Sequence, residues 1–73
     1  MTVRCAVIGA GFIGVDHIKA YQSWPDAEVV AVADTNAARA DQAARTFAIR
    51  PYADYTAMLK AERLQAVSVC TPT

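Results

Sequence analysis

Val3-Arg4-Cys5-Ala6-Val7-Ile8-Gly9-Ala10-Gly11-Phe12-Ile13-Gly14 is an apolar run that passes directly into G-x-G-x-x-G. The run from Val3 to Ile8 has the near-continuous hydrophobic character of a parallel strand covered on both faces. The stretch after it, roughly Phe12 to Trp24, carries Gly14, Ile18 and Tyr21 at helical spacing and is stopped by Pro25-Asp26. Strand, glycine-rich turn and helix in that order are the context in which this motif describes a dinucleotide-binding unit. Each glycine has its own reason. Gly9 permits the tight turn out of the strand, Gly11 leaves the backbone open to a pyrophosphate, and Gly14 lets the helix lie close to the sheet. These three are the only glycines in the chain, which ties glycine here to geometry.

Beyond the turn, apolar strands and amphipathic helices alternate. A second strand is expected from Glu28 to Ala33, followed by a turn and cap at Asp34-Thr35-Asn36. The helix from Ala37 to Ala48 has Ala40, Ala43, Ala44 and Phe47 for its inner face, and Pro51 breaks the pattern. A short helix from Asp54 to Ala61 has Asp54 as cap and Tyr55, Met58 and Leu59 as anchors. A third strand runs from Ala66 to Thr71 and ends at Pro72. This alternation argues α/β class: a βαβαβ half of a dinucleotide-binding domain over residues 1–73, with a three-stranded parallel sheet in order 3-2-1. Two successive right-handed crossovers place their helices mainly on one face. The opposite face is then expected to be bare and strand one to be an unpaired edge. Both features point to a homodimer or a higher even-numbered oligomer.

The chemistry of such a unit resides at the turn. Phosphates meet the free N–H groups and the positive dipole end of the first helix, so Phe12 and Ile13 are expected to donate backbone amides while their side chains pack. Asp34 follows Gly14 by twenty positions, the spacing at which an acid accepts hydrogen bonds from the adenosine ribose. Capping the second helix is a compatible role. A carboxylate there repels the 2′-phosphate of NADP, so NAD is favoured, although Arg39 one helical turn later offers a cation. His17 lies on a helix flank rather than at a strand C-terminus and reads as structural. Tyr21, Trp24, Tyr52 and Tyr55 read as packing residues.

Composition excludes several classes. Formal net charge is zero, which gives no electrostatic case for nucleic acid or an anionic membrane. No apolar stretch approaches the ~20 residues of a membrane span, and no signal peptide is legible, so the expectation is cytoplasmic. Cys5 and Cys70 read as buried reduced thiols, because a 3-2-1 order puts another strand between them. No metal site is expected. The chain is 55% hydrophobic, high for so short a domain, and a domain of this size buries only roughly 60% of its unfolded surface. That balance fits a piece of something larger or a subunit that covers itself with a copy.

The motifs resemble the Gfo/Idh/MocA oxidoreductases. The resemblance rests on A-V-I-G-A-G-F-I-G at Ala6 to Gly14, His17, V-V-A-V-A-D at Val29 to Asp34, Asp54-Tyr55 before Met58-Leu59, and A-V-S-V-C-T-P-T at Ala66 to Thr73. It implies that Thr71 and Pro72 contact the cofactor, and that a longer parent oxidises or reduces a sugar, cyclitol or similar polyol with NAD(P). The family's catalytic lysine lies in an E-K-P motif beyond the third strand. Lys19 and Lys60 lie in helices and match no such motif. The expected role is thus the adenosine- and pyrophosphate-binding half of such an enzyme, catalytically inert alone and weak toward NAD or ADP. The alternatives are a self-assembling structural half-domain without ligand, and an FAD or S-adenosylmethionine domain, against which the terminal T-P-T counts.

Overall fold

A computed structural model describes residues 2–70. The elements are β1 (Val3–Ile8), α1 (Phe12–Gln22), β2 (Ala27–Ala33), α2 (Ala37–Phe47), β3 (Arg50–Tyr52), α3 (Tyr55–Ala61) and β4 (Ala66–Val69). The sheet is parallel and four-stranded, in order β3-β2-β1-β4.

This corrects the three-stranded 3-2-1 expectation in two ways. The segment around Pro51 is a strand: Arg50, Pro51 and Tyr52 pair with Ala31, Val32 and Ala33. Proline is tolerated because β3 is an edge, where one row of N–H groups has no ladder partner to lose. The strand expected third, here β4, pairs with β1 and not with β2. β1 is therefore internal, and the premise that it is an open edge falls.

The reversal also decides where α3 lies. From β1 to β2 to β3 the chain steps in one direction across the sheet, and right-handed crossovers put α1 and α2 on one face. From β3 to β4 it must step back across two strands, so the same handedness sends α3 to the other face. Two separate cores result. One gathers Cys5, Val7, Val29 and Val32 under Ile18 of α1 and Ala43 of α2. The other gathers Ala6, Val30, Ala31 and Ala33 under Met58 of α3, which is fully buried. The second premise for self-association, a bare sheet face, is corrected as well. Of the three expected anchors of α3 only Met58 is buried; Tyr55 and Leu59 are about half exposed.

A register shift gives β2 its double-sided character. Cys5 stands opposite Val29, but Ala6 stands opposite Ala31, so Val30 is an extra residue. A one-residue insertion changes the parity of every side chain beyond it. Val29 and Val32 consequently share one core while Val30 and Ala31 both reach the other.

The helices start and stop on local signals. Asn36 caps α2, its Oδ1 accepting from the amides of Ala38 and Arg39, and Ala48 ends that helix in the left-handed region at φ 57°. Asp54 caps α3 through the Thr56 amide at 2.8 Å. α1 is tied to the outer strand by a hydrogen bond between the hydroxyls of Tyr21 and Ser68. Cys5 and Cys70 are free, and the reason differs from the expected one. Their strands are neighbours, but Cys5 stands opposite Ala66 and Cys70 follows four residues later, about 13 Å along the strand. A disulfide does not span that distance. Cys5 is buried as expected, whereas Cys70 is only partly buried; burial pushes both thiols above their usual range. No helix among the described residues is long and apolar enough to cross a membrane.

Candidate functional site

Parallel strands bring the end of β1, the start of α1 and the end of β2 to one edge of the sheet, the edge where α/β folds bind ligands. The turn that joins the first two is built from backbone contacts. Gly9 takes φ 101°, a conformation that a side chain resists, and its amide donates to the Ala33 carbonyl at 2.7 Å. The Ala10 amide donates to Asp34 Oδ2 at 2.9 Å. Gly11 is the N-terminal flanking residue of α1. Helical bonding begins with the Val15 amide, which donates to the Gly11 carbonyl at 2.9 Å.

The glycines separate into two kinds. A Cβ on Gly14 would stand 1.7 Å from the Gly9 carbonyl oxygen, so the fold itself forbids one. A Cβ on Gly11 would meet nothing within 4 Å, and its φ of −76° and ψ of −167° are open to any residue. Nothing among the described residues asks for glycine at position 11.

The first turn of α1 has no side-chain cap and no acidic residue. The amides of Phe12, Ile13 and Gly14 are therefore the unmatched donors that every helix start leaves. The side chains of Phe12 and Ile13, expected to pack, are instead 95% and 64% exposed.

Asp34 is half-buried at the end of β2. Its Oδ1 accepts from the Asn36 amide at 2.8 Å and its Oδ2 from Ala10, while its own amide donates to the Tyr52 carbonyl. The helix cap is Asn36, so Asp34 is left to bridge the turn and the strand end. Arg39 and His17 are both exposed, on α2 and α1. Thr71 and Pro72 lie outside the described residues.

One cluster escaped the sequence reading. The buried Glu62 carboxylate accepts from Arg50 at 2.5 and 2.6 Å, from Tyr52 Oη at 2.8 Å and from Arg4 at 3.3 Å. Hydrogen bonds from Arg50 hold its pKa down to about 2 against the opposing effect of burial, and the Tyr52 hydroxyl and the charges of Arg50 and Arg4 assist. The Glu62 bond in turn raises the Tyr52 pKa. Members at positions 4, 50, 52 and 62 have no shared local pattern, so no sequence signal marks them. The cluster fastens β1, β3 and the end of α3 and has a structural role.

Comparison with known proteins agrees with this geometry. The family model described as "Oxidoreductase family, NAD-binding Rossmann fold" matches residues 3–73. The chain is 41% identical to an inositol 2-dehydrogenase of Rhizobium meliloti over 73 residues, which is 100% of this chain and 22% of that protein. It is 40% identical to a D-apiose dehydrogenase of Paraburkholderia graminis over 67 residues, 90% of this chain and 18% of the relative. Among solved structures, the myo-inositol dehydrogenase of Lactobacillus casei in complex with NAD(H) and myo-inositol superposes with a TM-score of 0.86 at 35% identity, covering 97% of this chain and 22% of that one. The chain thus spans about a fifth of the length of the relatives it matches. With its parallel sheet in order 3-2-1-4 and the glycine turn at its carboxyl edge, the chain belongs to the Gfo/Idh/MocA oxidoreductase family and matches it over the NAD-binding Rossmann fold.

Proposed function

We propose that this chain binds the adenosine and pyrophosphate portion of a nicotinamide dinucleotide, as part of an oxidoreductase acting on inositol-like polyols or sugars. The observation that carries the reading is Gly11. Its backbone is unstrained and no described atom stands within 4 Å of a Cβ there, which supports a glycine kept for a ligand. That empty space adjoins the uncapped start of α1, a helix end suited to a phosphate. The amides of Phe12, Ile13 and Gly14 hold the diphosphate in this reading, Gly9 and Gly14 shape the turn, and Asp34 accepts from the ribose hydroxyls with its remaining lone pairs. Thr71 and Pro72 complete the set of proposed contacts.

NAD is favoured over NADP, because the Asp34 carboxylate opposes a 2′-phosphate. When bound, the nicotinamide supplies hydride transfer. This chain's own residues bind and orient; His17 and Lys19 lie in α1 and Lys60 in α3, and none matches a catalytic lysine motif. We propose accordingly that the 73-residue chain alone does not turn over polyols, and that it works in the cytoplasm. Self-association is now proposed only through β4, where Val67 and Val69 remain 36% and 70% exposed.

Titration of the labelled chain with ADP and NAD, followed by amide shifts, tests the binding reading. ADP and NAD are expected to bind alike, on the order of 0.1–10 mM, with shifts clustered at Ala10 to Gly14 and Asp34. The absence of clustered shifts at millimolar ligand sinks it.

A further inference from the structure

We infer that Asp34 is a positioning residue for the phosphate turn, in addition to its proposed contact with ribose. This rests on the nucleotide-binding reading above and deepens it. Asp34 stands 24 residues from Ala10 in sequence, yet its Oδ2 takes the Ala10 amide at 2.9 Å while Oδ1 takes the Asn36 amide at 2.8 Å. Both oxygens are engaged by backbone before any ligand arrives, and the carboxylate orientation is thereby set.

The consequence for the turn is specific. The Gly9 amide is bound by the Ala33 carbonyl and the Ala10 amide by Asp34, so both amides before Gly11 are tied to the end of β2. The anion cradle is confined to the amides from Gly11 onward, and the entry angle of α1 is held from the strand. Ala10 itself is 8% exposed, which leaves its amide little access to water as a substitute acceptor. A buried amide stripped of its partner either stays unsatisfied or pulls the turn out of place to reach water.

Electrostatics gives the inference a sign that a ribose-reading role does not share. A carboxylate near a diphosphate repels it, so removing the charge alone tightens a ligand that has no ribose. If the carboxylate shapes the cradle, removing it weakens the same ligand. Inorganic pyrophosphate is the probe, because it carries the anion and nothing for Asp34 to read.

Wild type, Asp34→Ala and Asp34→Asn are compared in the 73-residue chain, by pyrophosphate titration and by hydrogen exchange of the Ala10 amide without ligand. Asp34→Ala is expected to weaken pyrophosphate about three- to ten-fold and to speed Ala10 exchange about ten-fold or more. Asp34→Asn keeps one acceptor oxygen and is expected to fall between the two on both measures. Should the alanine variant fail to fold, that intermediate result still carries the inference. Equal or tighter pyrophosphate binding in the folded variants, or unchanged Ala10 exchange, overturns it. Failure of the wild type to bind ADP or pyrophosphate overturns the nucleotide reading instead, while Ala10 exchange still decides whether Asp34 clamps the turn.

Discussion

The carbonyl oxygen of Gly9 occupies the position that a side chain on Gly14 would need, 1.7 Å from the ideal Cβ. Strand end and helix start are in backbone contact there, and neither partner is a flexible side chain that can swing away. Gly14→Ala therefore has to lift α1 from β1 and open the core around Ile18 and Val7. A loss of about 3 kcal/mol or more is expected, the upper end of overpacking costs. In so small a domain that is a large fraction of the stability. A urea transition measured by circular dichroism checks it; a midpoint equal to wild type contradicts the contact.

Gly11 gives the opposite pattern. With open space around it and a permissive backbone, Gly11→Val is expected to fold with stability within about 1 kcal/mol of wild type. Its isopropyl group stands in the proposed diphosphate path, so ADP and NAD binding should fall below detection. Calorimetric titration beside a thermal melt separates the two effects. Wild-type affinity in a folded Gly11→Val chain removes the cradle assignment.

Asp34→Ala should also change cofactor preference. Loss of the carboxylate removes a proposed acceptor for the ribose hydroxyls and relieves the repulsion of a 2′-phosphate, so NAD weakens more than NADP does. The ratio of the two dissociation constants is expected to move toward NADP by about ten-fold, the size of one charge-assisted hydrogen bond. An unchanged ratio places the adenosine ribose elsewhere.

Acid sensitivity is expected from Glu62. Its folded pKa of about 2 lies below the usual 4.5, so the folded state holds the ionised form more tightly than the unfolded chain does. The sign is that of a depressed carboxylate: its contribution is fully present above about pH 4.5 and drains away as pH falls toward 2. Glu62→Gln should flatten the stability profile across that window. Near neutral pH the substitution should cost about 2 kcal/mol, less than the roughly 3–5 kcal/mol for breaking a fully buried pair. The reduction reflects Arg50, whose side chain is 60% exposed and screened by water. Urea midpoints between pH 2 and 7 for both chains check the window, and parallel profiles contradict it.

What the sequence determined by itself is local. The apolar run into Gly9, the helical spacing of Gly14, Ile18 and Tyr21, and the caps at Asn36 and Asp54 are each written in adjacent residues, and each appears where expected. The spacing from Gly14 to Asp34 announced the meeting of strand ends, because parallel strands joined by one helix must bring those residues to the same edge. What only the tertiary structure decided is non-local. A three-residue β3 holding Pro51 is too short and too irregular to declare itself, and it becomes a strand because β2 has an open side. Once it fills that side, the next strand has to pair with β1, and the return step carries α3 to the other face. The Asp34 bond to Ala10 and the four-residue cluster on Glu62 arise in the same way. They depend on which residues the completed sheet places together, and residues far apart in the chain carry no pattern that says so.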